Sequence, residues 1–331
     1  MKFFAEYIWI GGNNELRSKC RVFDDSLRTD FPDWNYDGSS TNQATGSESE
    51  IIIKPRKIFP CPFRKGINVM ILCDTYYPDG KPHPTNKRAE AFEIFNKKFY
   101  EHPWYGLEQE YFLTLNRKPL GCEGDIPEQG QFYCSIGAEN TFGRKLVEEH
   151  LEACIYAGLQ ISGINAEVAP GQWEFQVGPC EGIEAGDQLW MARYILERLG
   201  EKYGYGVDYK PKLLKEINGS GCHCNFSTEN MRNGNALKSG MQYIVEAIEK
   251  LSERHDEHMK VYGEGNENRM TGHHETSSYN KFSYGIGNRG CSVRIPNETV
   301  KKGCGYFEDR RPAANCDPYL VTSKIFETTC L

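Results

Sequence analysis

The 331-residue sequence carries 46 Asp and Glu against 39 Lys and Arg, a formal net charge of −7, with 39% hydrophobic and 12% aromatic residues. A chain of that length and composition can bury a full core and hold two domains, which excludes the low-hydrophobicity, high-charge class that stays unfolded. Its net acidity excludes a general binder of nucleic acid, because little counterion release is available to it, and no run approaches the ~18 apolar residues of a membrane helix.

In chain order, the N-terminal MKFFAEYIWIGG lacks a basic region followed by a signal core, and the 13 cysteines include no CxxC spacing. A cytoplasmic protein with reduced thiols is expected. Short apolar runs at Tyr7–Ile10, Cys20–Phe23, Ile51–Ile53 and Val69–Cys73, separated by turn residues, predict a small β-rich domain over residues 1–80. Pro78, Pro82 and Pro84 in PDGKPHPTNKR interrupt any regular element and mark a linker. Apolar residues three and four apart predict helices at Arg88–Tyr100, Gly143–Ala157, Asp187–Lys202 and Leu237–Tyr262, with short strands between them. Without strict βαβ alternation, the class is α+β, with a larger domain over 81–331. The 33 glycines, many beside charged residues, suggest backbone packed closely round ligands.

Several of the predicted strands carry charge on one face only. Alternation in YGLEQEYFLTL puts Glu108 and Glu110 together, with Gln109 and Tyr111 opposite. In NAEVAPGQWEFQVGP, Glu167 precedes a Pro-Gly turn, after which Gln172, Glu174 and Gln176 share one face and Trp173, Phe175 and Val177 the other. GCHCNFS places His223 opposite Cys222 and Cys224, and YFEDRRP places Glu308 with Arg310, opposite Asp309 and Arg311. One Glu-x-Glu pair is commonly a solvated sheet face. Five carboxylates and a histidine on strands form an oxygen-rich set suited to Mg²⁺ or Mn²⁺, and too many for one ion that keeps its waters, so two metals fit better. Zinc on Cys222 and Cys224 is disfavoured because they point away from His223. Arg289, Arg294, Arg310 and Arg311 in a Gly-rich region match carboxylate or phosphate oxygens, although surface ion pairs would use the same residues. Metals with arginines point to phosphoryl transfer.

The motifs NYDGSS (35–40), EQEY (108–111), AEVAPGQWEFQVGP (166–179), NGSGCHCNFST (218–228), TGHHETS (271–277), GIGNRGCSVRIP (285–296) and GYFEDRRPAANCDPY (305–319) resemble, in order and spacing, glutamine synthetase of the eukaryotic type. The resemblance covers nearly the whole chain. It implies a β-grasp-like N-terminal domain and a catalytic domain whose curved antiparallel sheet is flanked by helices. It also implies a homo-oligomer of two stacked rings, a decamer, with active sites between subunits. The implied reaction joins ammonium to glutamate with ATP as substrate, through γ-glutamyl phosphate, on two or more Mg²⁺ or Mn²⁺ ions. By the resemblance, one metal would be held by Glu110, Glu167 and Glu174 and the other by Glu108, His223 and Glu308. Glutamate would meet Asn218, Gly219, Arg269 and Arg310. ATP would meet Glu108, Arg289, Arg294, the run Glu174, Phe175, Gln176, Val177, Gly178 and Pro179, the run Asn225, Phe226 and Ser227, and Tyr306, Phe307 and Glu308.

Asp37 in NYDGSS matches the carboxylate that takes the ammonium proton, its bland alternative being a DG turn. Glu275 in HHETS matches the carboxylate of a closing flap, and Arg289 a catalytic cation. The chain departs from the family in reading KLLKEINGSG where a Gly-x-Trp-Asn run is usual, and in His273 before HET. Rival readings are a γ-glutamyl ligase acting on another amine, which has less need of Asp37, and a catalytically silent relative, which would have lost metal positions that are all present here.

Overall fold

The computed structural model describes residues 1–24, 30–122 and 130–331. The chain divides into two compact units, residues 1–93 with 152–159 and residues 94–151 with 160–331. The first unit contains β1 (Phe3–Ile10), β2 (Leu16–Phe23), β3 (Trp34–Asp37), β4 (Glu50–Pro60) and β5 (Val69–Tyr76) in the order β2-β1-β5-β4-β3. β1 and β5 run parallel at the centre and the outer pairs are antiparallel, the mixed sheet expected of a β-grasp-like domain. The period of two sends Phe3, Ala5, Tyr7 and Trp9 to one face, where they join Tyr36, Ile51, Ile53 and Ile71 in one core. Trp9 stacks on Tyr36 with ring centroids 4.5 Å apart, a contact contributing about 1 kcal/mol beyond area burial.

The predicted linker is tied down. His83 and Asn86 are buried; His83 Nε2–H donates to the Gln43 carbonyl at 2.7 Å and Asn86 Nδ2 to the Thr75 carbonyl at 2.9 Å. The prolines stop regular structure there without preventing side chains from anchoring the segment.

Chain order continues with α1 (Lys87–Asn96), β6 (Trp104–Leu115), β7 (Lys118–Pro119), α2 (Arg144–Tyr156), β8 (Ile161–Ala166), β9 (Gln172–Glu181), α3 (Glu184–Tyr203), β10 (Gly206–Asp208) and β11 (Cys222–Ser227). It closes with α4 (Glu229–Asn233), α5 (Gly240–Glu253), α6 (His255–Met259), β12 (Tyr284–Ile286), β13 (Val293–Ile295), α7 (Asn297–Lys302), β14 (Phe307–Asp309) and α8 (Pro318–Cys330). The strands of the second unit form one sheet, β12-β13-β14-β11-β6-β9-β8, with β7 and β10 also on β6. Its pairs are antiparallel apart from β12 with β13. Register shifts at Tyr105/Leu107 and Ile161/Gly163 add local bend and twist.

α3 is buried on nearly every side, so it reads as a core helix and not an amphipathic surface one; it ends at Gly204, which takes the left-handed conformation at φ 69°. The helix predicted over Leu237–Tyr262 is two: α5, opened by a Ser239–Gln242 capping box, and α6, separated where Arg254 leaves helical geometry at φ −112°, ψ 22°. The buried stripe Ile244, Ile248, Leu251 continues in phase into His255, His258 and Met259. Two of those positions are polar and fixed by specific bonds, His255 Nε2 to the Tyr279 carbonyl and His258 Nε2 to Thr328 Oγ1, both 2.8 Å, which apolar spacing cannot report. The helix expected over Arg88–Tyr100 ends at Asn96, with a separate 3₁₀ turn at Phe99–Glu101.

Candidate functional site

The sheet register brings the acidic residues face to face. Glu110 on β6 lies opposite Glu174 on β9, Glu108 opposite His223 on β11, and Glu308 on β14 opposite Asn225 on β11 and Arg294 on β13. Glu167 enters from the turn between β8 and β9, where its N–H donates to the Gln172 carbonyl at 2.9 Å. The result is two triads, Glu110–Glu167–Glu174 and Glu108–His223–Glu308, each with one ligand atom per residue within 4.8 Å of the others. Both open on a cavity of about 730 Å³ in the second unit.

The first triad cannot ionise together without a counter-charge. Glu110, Glu167 and Glu174 are each pushed up to about 8, by burial first and then by neighbouring carboxylates: Glu167 for Glu110, Glu174 for Glu167, and Glu108 for Glu174. Their hydrogen bonds favour the charged form without overcoming that: Gly221 N–H to Glu110 Oε2 at 2.6 Å, Asn165 Nδ2 to Glu167 Oε1 at 2.9 Å, and Gln176 Nε2 to Glu174. In the second triad, burial and then the Arg310 charge hold His223 well below the usual imidazole range, leaving it neutral and able to ligate. His223 Nδ1 stands 3.4 Å from Glu108 Oε2 and 3.6 Å from Glu308 Oε1. Clustered carboxylates with a neutral imidazole, on rigid strands, fit hard divalent cations.

Arginines line the same cavity beside the second triad. Arg310 Nη1 donates to Glu308 Oε1 at 2.7 Å, Arg294 Nε pairs with the other oxygen of Glu308, and the Arg310 Nε donates to the Arg289 carbonyl at 3.1 Å. Arg269 is buried and donates to the Asn266 side chain and to the carbonyls of residues 310–312; burial lowers it to about 10. The loop over these arginines is strained, with His274 at φ 52° and Glu275 at φ 58° in consecutive left-handed conformations, costing of order 1 kcal/mol or more each. Arg310 Nη2 to the Glu275 carbonyl at 3.4 Å and Thr276 Oγ1 to the Arg269 carbonyl at 3.2 Å help to hold it.

Of the residues singled out from sequence, Glu275, Arg289, Asn218, Gly219, Arg269 and Arg310 line the cavity, as do Gln176 and Arg294. Asn218 Oδ1 is buried without a hydrogen-bond partner. Asp37 belongs to the first unit and the lining residues to the second. It is exposed at the end of β3, where its carboxylate caps the turn by accepting from the Ser39 N–H at 3.0 Å, Ser39 Oγ at 2.6 Å and Ser40 Oγ at 2.9 Å. Those bonds, Ser39 first, hold it below the usual carboxylate range. Phe175, Val177, Phe226 and Phe307 are buried in the core, Phe226 packing on Tyr105 and Phe307, so they offer the cavity no side chain. Ser227 is buried, its hydroxyl accepting from Arg232 at 3.0 Å. Gly178 approaches β6 closely, and Tyr306 is exposed. Tyr133, Asn165, His274 and Thr276 also line the cavity and were not singled out. Asn165 was findable, since it stands two residues before Glu167 in NAEVAPGQ and alternation puts both on one face; Tyr133 and His274 sit in loops without periodicity.

The family description "Glutamine synthetase, catalytic domain" matches residues 86–255. A chain from Acanthamoeba polyphaga mimivirus is 58% identical over 334 residues, covering 98% of this chain and 93% of that one. The glutamine synthetase cytosolic isozyme 1-1 of Oryza sativa subsp. japonica is 55% identical, covering 100% of this chain and 94% of its own. The chloroplastic glutamine synthetase of Brassica napus is 54% identical over 100% of this chain and 78% of its own.

Proposed function

We propose that this chain, which belongs to the glutamine synthetase family and joins ammonia to glutamate at the expense of ATP, does so in the carboxylate cavity of its second unit. The observation that carries the reading is the pair of triads on one cavity, the first of which, Glu110, Glu167 and Glu174, holds protons far above the ordinary carboxylate range unless cations replace them. Family membership brings divalent metal and ATP. The finer assignment is two Mg²⁺ or Mn²⁺ ions, one on Glu110, Glu167 and Glu174, the other on Glu108, His223 and Glu308. When bound, such ions neutralise charge on transferring phosphate oxygens.

A free carboxylate is a poor acyl donor because oxide leaves badly. The γ-carboxylate oxygen of glutamate attacks the γ-phosphorus of ATP, ADP departs, and γ-glutamyl phosphate is formed. Ammonia then attacks the acyl carbon and phosphate leaves. Arg289 and Arg294 stand on the phosphate side, where fixed guanidinium charge stabilises negative oxygen as it develops. Arg269 and Arg310 hold glutamate's carboxylate. The unpartnered Asn218 Oδ1 is an acceptor suited to the substrate's ammonium group. Glu275 is placed to shield the acyl phosphate from water. Asp37, kept ionised by Ser39 and Ser40, binds ammonium and takes its proton, supplied by a neighbouring subunit. The proposed assembly is a decamer of two stacked rings in the cytoplasm, built from residues 1–80 as one domain and 81–331 as the catalytic domain. No helix among the described residues is long and apolar enough to cross a membrane.

The test is phosphate release with glutamate, ammonium or ATP omitted in turn, in the parent and in Glu174→Ala. Release should need all three and fall on the order of a thousandfold in the variant, matching the several kcal/mol that charge neutralisation contributes. Full release by Glu174→Ala would overturn the placement of the site.

A further inference from the structure

Behind the acidic strand lies a cation that the chemistry above does not use. Arg193, on α3, is 2% exposed, and among the described residues no carboxylate lies within hydrogen-bond reach of its guanidinium. Its Nε and Nη2 both donate to Gln109 Oε1, at 2.8 and 2.6 Å, its Nη1 to the Cys316 carbonyl and its Nη2 to the Ala314 carbonyl, both 3.0 Å. The rings of Trp190 and Tyr209 flank it at 4.7 and 5.3 Å. Glu197, one turn further along α3, feels the Arg193 charge, which works against the burial that raises its carboxyl, but it makes no hydrogen bond to the fork; a buried charge whose donors go to neutral acceptors is costly, so the arrangement calls for a reason.

The partners of Arg193 supply one. Gln109 is fully buried on β6 between Glu108 and Glu110, with its side chain on the opposite face, and its own Nε2 donates to the carbonyls of Glu110 at 2.8 Å and Ala314 at 3.0 Å. The segment holding Ala314 and Cys316 follows Glu308 and Arg310, and is bonded to the run that enters β11: Ala314 N–H to the Ser220 carbonyl at 3.0 Å and Cys222 N–H to the Pro312 carbonyl at 2.9 Å. One planar fork therefore joins the backbone segments that carry Glu108, Glu110, His223 and Glu308.

We propose that Arg193 is a positioning residue for the metal-ligating carboxylates: with Gln109 as its acceptor, it sets the separation of β6 from the segment after Glu308 and so holds the two triads at ligating distance. The inference rests on reading the triads as metal ligands. A lysine at this place keeps the charge and loses the fork, which needs several donors in one plane.

The experiment is Mn²⁺ binding to the full-length protein without nucleotide, read from the electron paramagnetic resonance of free Mn²⁺, beside the thermal midpoint of each variant. Arg193→Lys and Arg193→Met should each weaken Mn²⁺ by at least about tenfold, the scale seen when groups that orient ligands are removed. Ile195→Ala, on the same helix and fully buried, should lower the midpoint while leaving the Mn²⁺ affinity within about twofold. If Arg193→Met does not fold, Arg193→Lys carries the comparison. Affinity within twofold of the parent in Arg193→Lys, with Glu174→Ala binding lost, would overturn the role of Arg193 alone. Undiminished binding in Glu174→Ala would instead overturn the ligand assignment beneath it.

Discussion

Stripping divalent metal should make the protein less stable as pH rises through neutrality. Glu110, Glu167 and Glu174 hold their protons up to about 8 in the folded chain, through burial and then mutual repulsion, against an ordinary 4.5. An acid whose folded value is raised leaves the native state with more bound protons than the unfolded one, so stability is greatest below 4.5 and is lost as pH climbs toward 8. Buried histidines act with the opposite sign: His150 and His258, depressed by burial to about 4 and about 3, add stability mainly as pH rises to their ordinary 6.5. Above 6.5 each such histidine adds only about 0.4 kcal/mol more, the half-proton its unfolded form still holds there, so the carboxylates dominate the window from 6.5 to 8. One proton retained across those 1.5 pH units is worth about 2 kcal/mol. With an unfolding entropy of about 0.7 kcal/mol/K for a chain of this length, that is about 3 °C in the melting midpoint for each proton the triad keeps. Differential scanning fluorimetry in chelator at pH 6.5 and 8.0 should show this fall. Saturating Mn²⁺ should abolish it, because the ligands are then ionised at both pH values. A midpoint in chelator that is flat or rises between 6.5 and 8.0 would refute the reasoning.

Other consequences can be checked separately. Gly178 has φ +133°, and a Cβ there would sit 2.4 Å from the Tyr105 carbonyl oxygen and 2.8 Å from Gly106 Cα; Gly178→Ala should cost about 1–3 kcal/mol and disturb the β6–β9 pairing, read as a lower melting midpoint together with weaker Mn²⁺ binding. Burial alone would raise the Asp309 carboxyl, but the bidentate Arg311, at 2.9 and 2.7 Å, holds it below its ordinary range. Arg311→Met should therefore cost about 3–5 kcal/mol at pH 8 and less at pH 5, where the abandoned acid is nearer protonation, as denaturation at the two pH values would show. Asp37→Ala should raise the ammonium KM at least about tenfold with the ATP KM unchanged; an unaltered ammonium response in initial-rate assays would remove Asp37 from that role.

The acidic faces were legible because a strand's period is two, so spacing alone decides which side chains share a side. That is why Glu108 with Glu110, and Glu308 with Arg310, could be sorted before any pairing was known. What alternation cannot supply is the partner strand: Glu110 opposite Glu174, and His223 opposite Glu108, depend on register between segments tens of residues apart. Arg193 was invisible for the same reason, since its acceptors lie 84, 121 and 123 residues away and α3 is too uniformly buried for a polar position to stand out. Asp37 shows the converse. Its turn-capping bonds and its proposed role with ammonium are compatible, because the hydroxyls that cap the turn also keep the carboxylate charged.

The most direct test is where divalent cations sit. Crystals grown with Mn²⁺ and an ATP analogue, with diffraction recorded at the manganese edge, should give one anomalous peak within Glu110, Glu167 and Glu174 and another within Glu108, His223 and Glu308. Manganese absent from both triads in well-ordered crystals, or bound elsewhere in the chain, would contradict the assignment.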